Sequence, residues 1–152
     1  MKFRFLDLKV PQVVFKHSEK MMDYLYAFDE EDHLNFPHIE FNIVAPPSAD
    51  KEDNFFILFK IRIDQSVYLT DGEKEDDDDN GVFLVYFICR FKTNNLIEDG
   101  FGETKLARVS APHAAYPFVR SWISNFFTQN GFDSVYFPIY NFDKSEKVKE
   151  EP

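Results

Sequence analysis

The sequence predicts an α+β fold in which a four-stranded antiparallel sheet packs against one long helix. Alternation of apolar and polar residues recurs in four segments, a helical apolar stripe follows the last of them, and the connections are rich in proline or acid. With 152 residues the chain is long enough for one core and too short for two well-stabilised ones. One domain over residues 1–143 is expected, followed by a charged, disordered tail over residues 144–152.

The first strand runs from Lys2 to Val10, with Phe3 and Phe5 on one face and Arg4 and Leu6 on the other. Pro11 cannot donate to a ladder, so Gln12 to Lys16 should continue beyond a bulge or on a sheet edge. Ser18 to Phe36 has no clean period and reads as a turn or short helix. From His38 to Val44, Ile39, Phe41 and Ile43 point one way and Glu40 and Asn42 the other, a half-buried strand closed by Pro46 and Pro47. Asn54 to Leu69 reads as a longer strand with strict alternation from Phe59 to Asp64. Gly81 to Lys92 carries Phe83, Val85, Phe87, Cys89 and Phe91 on one face and Leu84, Tyr86 and Ile88 on the other, which predicts cover on both sides. Between these two strands, the acidic run Asp71 to Asn80 should be a solvated hairpin tip.

The helix lies in the segment Ala111 to Phe132, where Phe118, Val119, Trp122, Ile123, Phe126 and Phe127 recur at helical spacing. Pro112 suits a first turn, Pro117 should kink or restart the helix, and Gly131 suits a left-handed stop. The broad apolar arc permits two readings. It packs wholly on the chain's own sheet, or it also meets a symmetry mate through Val119, Trp122, Ile123 and Phe126. Val135 to Phe142 is apolar but broken by Pro138, too irregular for a plain strand.

Composition narrows the function. A formal charge of −10 repels phosphate and anionic lipid, so neither nucleic acid nor membrane is an expected partner. Cys89 is the single cysteine, which rules out an intrachain disulfide and points to a reducing compartment, the cytoplasm. No apolar signal region follows Lys2 and Arg4, and the run Val82 to Cys89 is too short to span a bilayer. Nineteen phenylalanines supply more flat apolar area than a core of this size obviously needs. An interface or ligand role and a Phe-rich core are both open on composition alone.

Chemistry-bearing motifs are scarce. His17, His33, His38 and His113 invite a metal reading, with His38 and Glu40 on one strand face and Asp29 and His33 on one helix face if that stretch is helical. Exposed or structural histidines are the expectation, and no cofactor is implied. A metal-dependent enzyme using His38, Glu40 and a distant histidine is the competing reading from another class. Nucleophile elbows and phosphate-cradling loops are absent, and the run Asp76 to Asp79 lacks the spacing of a calcium loop.

From Pro112 to Phe142 the chain resembles the SecB family of protein-export chaperones, whose signature runs proline, FPYAR, a helix, a glycine turn and FPxLxLxPxNFD. Tyr116, Pro117, Phe118 and Arg120 match FPYxR with the two aromatic types exchanged. Gly131, Phe132, Val135, Phe137, Asn141, Phe142 and Asp143 fall in register, Pro138 is displaced by one, and Asp133 replaces a proline. The resemblance implies an ATP-independent holdase for unfolded or secretory chains, assembled as a homodimer or dimer of dimers, that passes clients to the translocase ATPase. It also implies a peptide groove lined by Ile39, Phe41 and Ile43 with Val135, Phe137, Ile139, Tyr140 and Phe142. Two departures stand out. The family's second helix is reduced here to a short charged tail, and Gln12 and Lys16 stand where the family places docking acids. A SecB-like chaperone or adaptor dedicated to one partner, such as an antitoxin, is the alternative.

Overall fold

The computed structural model describes residues 1–27, 38–68, 80–137, 140 and 142. The expectations for Phe28 to Phe36, for the acidic run up to Asp79, for Pro138, Ile139 and Asn141, and for the tail from Asp143 onward lie outside the described residues. Four strands form one antiparallel sheet: β1 Phe3–Lys16, β2 His38–Val44, β3 Asn54–Asp64 and β4 Val82–Thr93, in the order β1-β4-β3-β2. A short helix, α1 (Glu19–Tyr26), follows β1. A single helical turn, α2 (Gln65–Tyr68), follows β3, and the long helix α3 (Ala111–Gln129) follows β4. The α+β class and the sheet-plus-long-helix architecture are those the sequence predicts.

Pro11 does what its missing N–H requires. It sits on β1, an edge strand, where the ladder with β4 shifts register between the Lys9–Ile88 and Gln12–Tyr86 pairs. The strand therefore continues through the bulge to Lys16. β3 ends at Asp64, five residues before the predicted Leu69. Asp64 Oδ1 accepts hydrogen bonds from the Ser66 N–H and hydroxyl, and the Gln65 N–H donates to the Gly81 carbonyl, so the chain turns helical there. The Gln65 amide oxygen then accepts from the Gly81 N–H at 2.8 Å and from the hydroxyl of Ser18, which also caps α1 by accepting from Met21 N–H. One buried side chain thus joins the starts of α1, α2 and β4.

One face of the sheet carries the core. Phe55, Ile57, Phe59, Ile61 and Ile63 of β3 and Phe83, Val85, Phe87, Cys89 and Phe91 of β4 are buried there. The sheet-facing stripe of α3, Ala115, Val119, Ile123 and Phe127, is fully buried in the same cluster. Each large side chain so enclosed contributes about 1.5–3 kcal/mol. The phenylalanine excess is therefore largely core: Phe55, Phe59, Phe83, Phe87, Phe91, Phe127, Phe137 and Phe142 are among its largest fully buried side chains.

The opposite face corrects one expectation. Leu84, Tyr86 and Ile88 are half-exposed, and none of them joins the core cluster. Among the described residues no element covers them. Apolar residues on both sides of β4 reflect a second, open apolar surface, not a second layer.

α3 starts at Ala111, where the sequence places it, follows directly on a wider π-type turn at Leu106–Ser110 that the sequence does not announce, and runs unbroken through Pro117. Pro117 lies on the exposed side, where the carbonyl it leaves unpaired one turn back is open to water. The helix stops as expected. Gly131 takes φ +88°, and the Phe132 N–H donates to the Phe127 carbonyl at 2.9 Å while the two rings pack with centroids 6.2 Å apart.

Cys89 is wholly buried, and burial, reinforced by the nearby Asp7 charge, pushes its thiol up from 9.0 to about 12. Burial likewise pushes the Tyr116 hydroxyl upward, against the lowering influence of Arg120. Both groups stay neutral in the fold at physiological pH.

Two predictions follow from this packing. A methyl group at Gly81 would collide with Ser18 Oγ and Met21 Cβ, whereas one at Gly131 meets nothing and suffers backbone strain alone. Urea denaturation should show Gly81→Ala losing about 1–3 kcal/mol and Gly131→Ala about 1–2 kcal/mol, with Gly131→Asn losing less. Because the folded Cys89 and Tyr116 hold their protons to higher pH than unfolded ones do, their contribution to stability is complete below the unfolded values and is lost as pH rises through the folded ones. The urea midpoint should hold from pH 7 to about 8.5 and fall above pH 9, with Cys89→Ala falling less steeply.

Candidate functional site

β2 is the second edge of the sheet; its inner side pairs with β3, Phe41 opposite Phe59 and Ile43 opposite Ile57. Strand alternation turns Ile39, Phe41 and Ile43 toward the helix face, as the sequence predicts. All three are half-exposed, because no further described strand flanks them. Ile43 also lies close to Gly102, in the turn Phe101–Glu103, which marks that end of the surface.

The segment after α3 returns along this edge, and Phe142 is the centre of what it builds. Its ring lies 5.4 Å from Phe41, 6.2 Å from Phe59, 5.7 Å from Tyr116, 4.7 Å from Tyr140 and 5.1 Å from the His113 imidazole. All five contacts are edge-on, the geometry that the ring quadrupoles favour. The cluster joins β2, β3, α3 and the return segment. Arg120 ties it down: its Nε–H donates to the Phe137 carbonyl at 2.8 Å, a charge-assisted bond across 17 residues.

The predicted groove residues divide into two sets. Ile39, Phe41, Ile43 and Tyr140 keep surface, whereas Val135, Phe137 and Phe142 are 0–1% exposed. Rings on every side enclose Phe142, so those three form the floor beneath the surface and do not line it. Ile139 lies outside the described residues. Sequence reasoning did not name Phe59, His113, Tyr116 and Arg120 as site residues. The register opposite Phe41 and the i, i+4 spacing of Tyr116 and Arg120 within the FPYxR match were the available signals.

The predicted interface residues divide in the same way. Val119 and Ile123 are fully buried on the sheet-facing stripe, which leaves them no surface for a second copy. Trp122 and Phe126 are half-exposed, stacked on each other at 5.4 Å, with Trp122 edge-on to Phe87 and Phe126 against Phe15 and Phe83. Phe118, stacked on Phe5 at 4.5 Å, is 51% exposed.

Among the described residues, no three His, Cys, Asp or Glu side chains gather to hold a metal. His17 stacks on Phe132 and His113 packs on Phe142. No helix among the described residues is long and apolar enough to cross a membrane.

The strand order, the single long helix over one face and the aromatic return segment make this the SecB-like fold. It is similar to the solved structure of a Mycobacterium tuberculosis SecB-like chaperone, Rv1957, in complex with a ChAD peptide from the Rv1956 HigA1 antitoxin, with a TM-score of 0.54, 14% identity and 91% of each chain covered. A second similar structure is a protein of unknown function from Streptococcus agalactiae, with a TM-score of 0.50, 11% identity, and 92% of this chain and 98% of that one covered. No protein-family model and no curated protein matches the sequence.

Arg120 gives the site a direct test. Arg120→Met keeps the length of the stem and removes the donor, so it should cost about 1.5–3 kcal/mol. Hydrogen exchange by mass spectrometry should then show faster exchange in residues 132–142 than in β3 or β4, whose ladders do not depend on this bond.

Proposed function

We propose that the protein is an ATP-independent chaperone that holds unfolded polypeptide against the β2 edge. The observation that carries this reading is the half-exposed row Ile39, Phe41 and Ile43 on an edge strand, backed by the Phe142 aromatic cluster. An extended client segment fits such an edge as an added strand, with its backbone bonded to β2 and alternate side chains against Ile39, Phe41, Ile43 and Tyr140. Flat apolar walls with few fixed polar groups accept many sequences, because burial gains roughly 25 cal/mol per Å² whatever the side chain. In this reading Val135, Phe137 and Phe142 support the surface from beneath. The similarity to a SecB-like chaperone solved with a peptide supports polypeptide as the ligand class. The buried, unpaired Cys89 agrees with residence in the reducing cytoplasm.

Within this function we favour a homodimer or a dimer of dimers. Trp122, Phe126 and the exposed ring of Phe118 supply the apolar surface for a second copy. Handing secretory clients to a translocase ATPase is the weaker part of the reading. Gln12 and Lys16, both exposed on β1, stand where the resemblance to the SecB family implies docking acids. The same two residues favour a second reading, a chaperone dedicated to one partner such as an antitoxin, as does the antitoxin peptide bound by the similar structure.

The test is suppression of aggregation, read by light scattering as a chemically unfolded client is diluted into an equimolar amount of the oligomer. The wild type should suppress scattering. Phe41→Asp, which sets a charge against the client's apolar side chains, should weaken client binding by roughly 2 kcal/mol, or about thirtyfold. No suppression by the wild type, with no change on substitution, would sink the proposal. Affinity capture from the host lysate separates the two forms: many substoichiometric clients support the general holdase, and one stoichiometric protein supports the dedicated chaperone.

A further inference from the structure

The face of the sheet that no described element covers carries an ordered pattern that peptide holding at β2 does not use. The register places its side chains in four rows from β2 to β1. They read Val44, Phe56, Arg90 and Asp7; Asn42, Leu58, Ile88 and Lys9; Glu40, Lys60, Tyr86 and Gln12; and, from β3 onward, Arg62, Leu84 and Val14. The apolar positions step one strand at a time, so an apolar stripe crosses the sheet diagonally from Val44 to Val14. Along it Val44 is 47%, Leu58 36% and Val14 41% exposed. Cations line both flanks, Arg90 and Lys9 on one side and Lys60 and Arg62 on the other.

Charge on this face runs against the rest of the chain. With Arg4, Lys92 and Lys16 in the adjoining rows, it carries seven of the chain's 17 basic residues. Asp7, Glu40 and Asp64 are its acids, three of 27. A protein of net charge −10 therefore presents a local excess of four positive charges around an apolar stripe. Several of these cations have little to neutralise them. Arg90 pairs with Asp7 at 2.7 Å and Lys92 lies 3.7 Å from Asp53, while Arg4, Lys9, Lys16 and Arg62 have no ion-pair partner among the described residues. Lys60 reaches over the Tyr86 ring at 5.8 Å, and Arg62 Nε is buried without a hydrogen-bond partner.

We propose that this face docks an acidic amphipathic helix of another polypeptide, its apolar side on the diagonal stripe and its carboxylates on the two cationic flanks. The stripe crosses four strands and about six residues of β4, roughly 25 Å by standard strand spacings. That length suits a helix of about 16 residues. A polyanion without apolar side chains would satisfy the flanks and leave Leu58, Leu84 and Ile88 facing water, which favours an acidic protein segment over nucleic acid.

The experiment uses the full chain and a fluorescein-labelled 16-residue helical peptide with leucine along one side and glutamate on both flanks, read by anisotropy. Saturable binding is expected, about tenfold weaker in 0.3 M than in 0.05 M salt. Lys60→Glu/Arg62→Glu should weaken it by at least about tenfold with an unchanged circular dichroism spectrum and unchanged mass by light scattering. Phe41→Asp should leave it intact. Loss of binding in Phe41→Asp alone would mean the peptide is held as a client, which overturns the docking site and leaves the chaperone reading standing. Equal binding of a lysine-for-glutamate peptide or of poly(U) would overturn it, and so would a double variant that binds normally. A change of oligomeric mass in the double variant would make the face a contact between copies of this chain, which also overturns it.

Discussion

Every assignment of side chains in this protein depends on which face of the sheet α3 covers. β3 and β4 lie between neighbours, so their backbone groups are satisfied, and α3 closes over the side that holds Phe55 to Ile63 and Phe83 to Phe91. With one layer of helix, strand alternation becomes a sorting device. Odd-numbered residues of β3 and β4 enter a dry core and even-numbered ones meet water. The edge positions of β1 and β2 follow from the same arrangement, and with them the half-exposure of Phe41.

The core is aromatic to an extent that sets how the return segment can dock. Rings cannot deform to fill a gap, so a segment that must pack against Phe41, Phe59 and Tyr116 needs a ring of its own at one place, and Phe142 supplies it. Arg120 adds direction by fixing the carbonyl of Phe137. The polar clamp at Phe137 and the aromatic plug at Phe142 hold the return segment at its two ends. This is why Tyr140, which keeps surface, and the enclosed Val135, Phe137 and Phe142 come from the same short stretch.

Much of this was legible in the sequence. Alternation located β2 and β4 to within a residue, Pro11 announced an edge strand with a bulge, and Gly131 announced the helix stop. Local signals decide those features. The end of β3 was not legible, because Gln65 turns away through bonds to Gly81 and Ser18, partners far off in sequence. The open face was misread because Leu84, Tyr86 and Ile88 carry hydrophobicity and no information about what lies above them. At the site, Phe41 and its neighbours could be named from period alone. The enclosure of Phe142 could not, since it depends on rings contributed by β2, β3 and α3.

The strand order also bears on how the chain is made. Phe3 pairs with Thr93, and the ladder between β1 and β4 spans the whole of the sheet's other half in sequence. During synthesis at roughly 5–20 residues per second, β1 waits several seconds for its hydrogen-bonding partner β4 to emerge. Until then a 14-residue segment bearing Phe3, Phe5 and Phe15 has both edges open. The nascent sheet thus passes through a stage in which β1 is an apolar segment still without the strand that pairs with it.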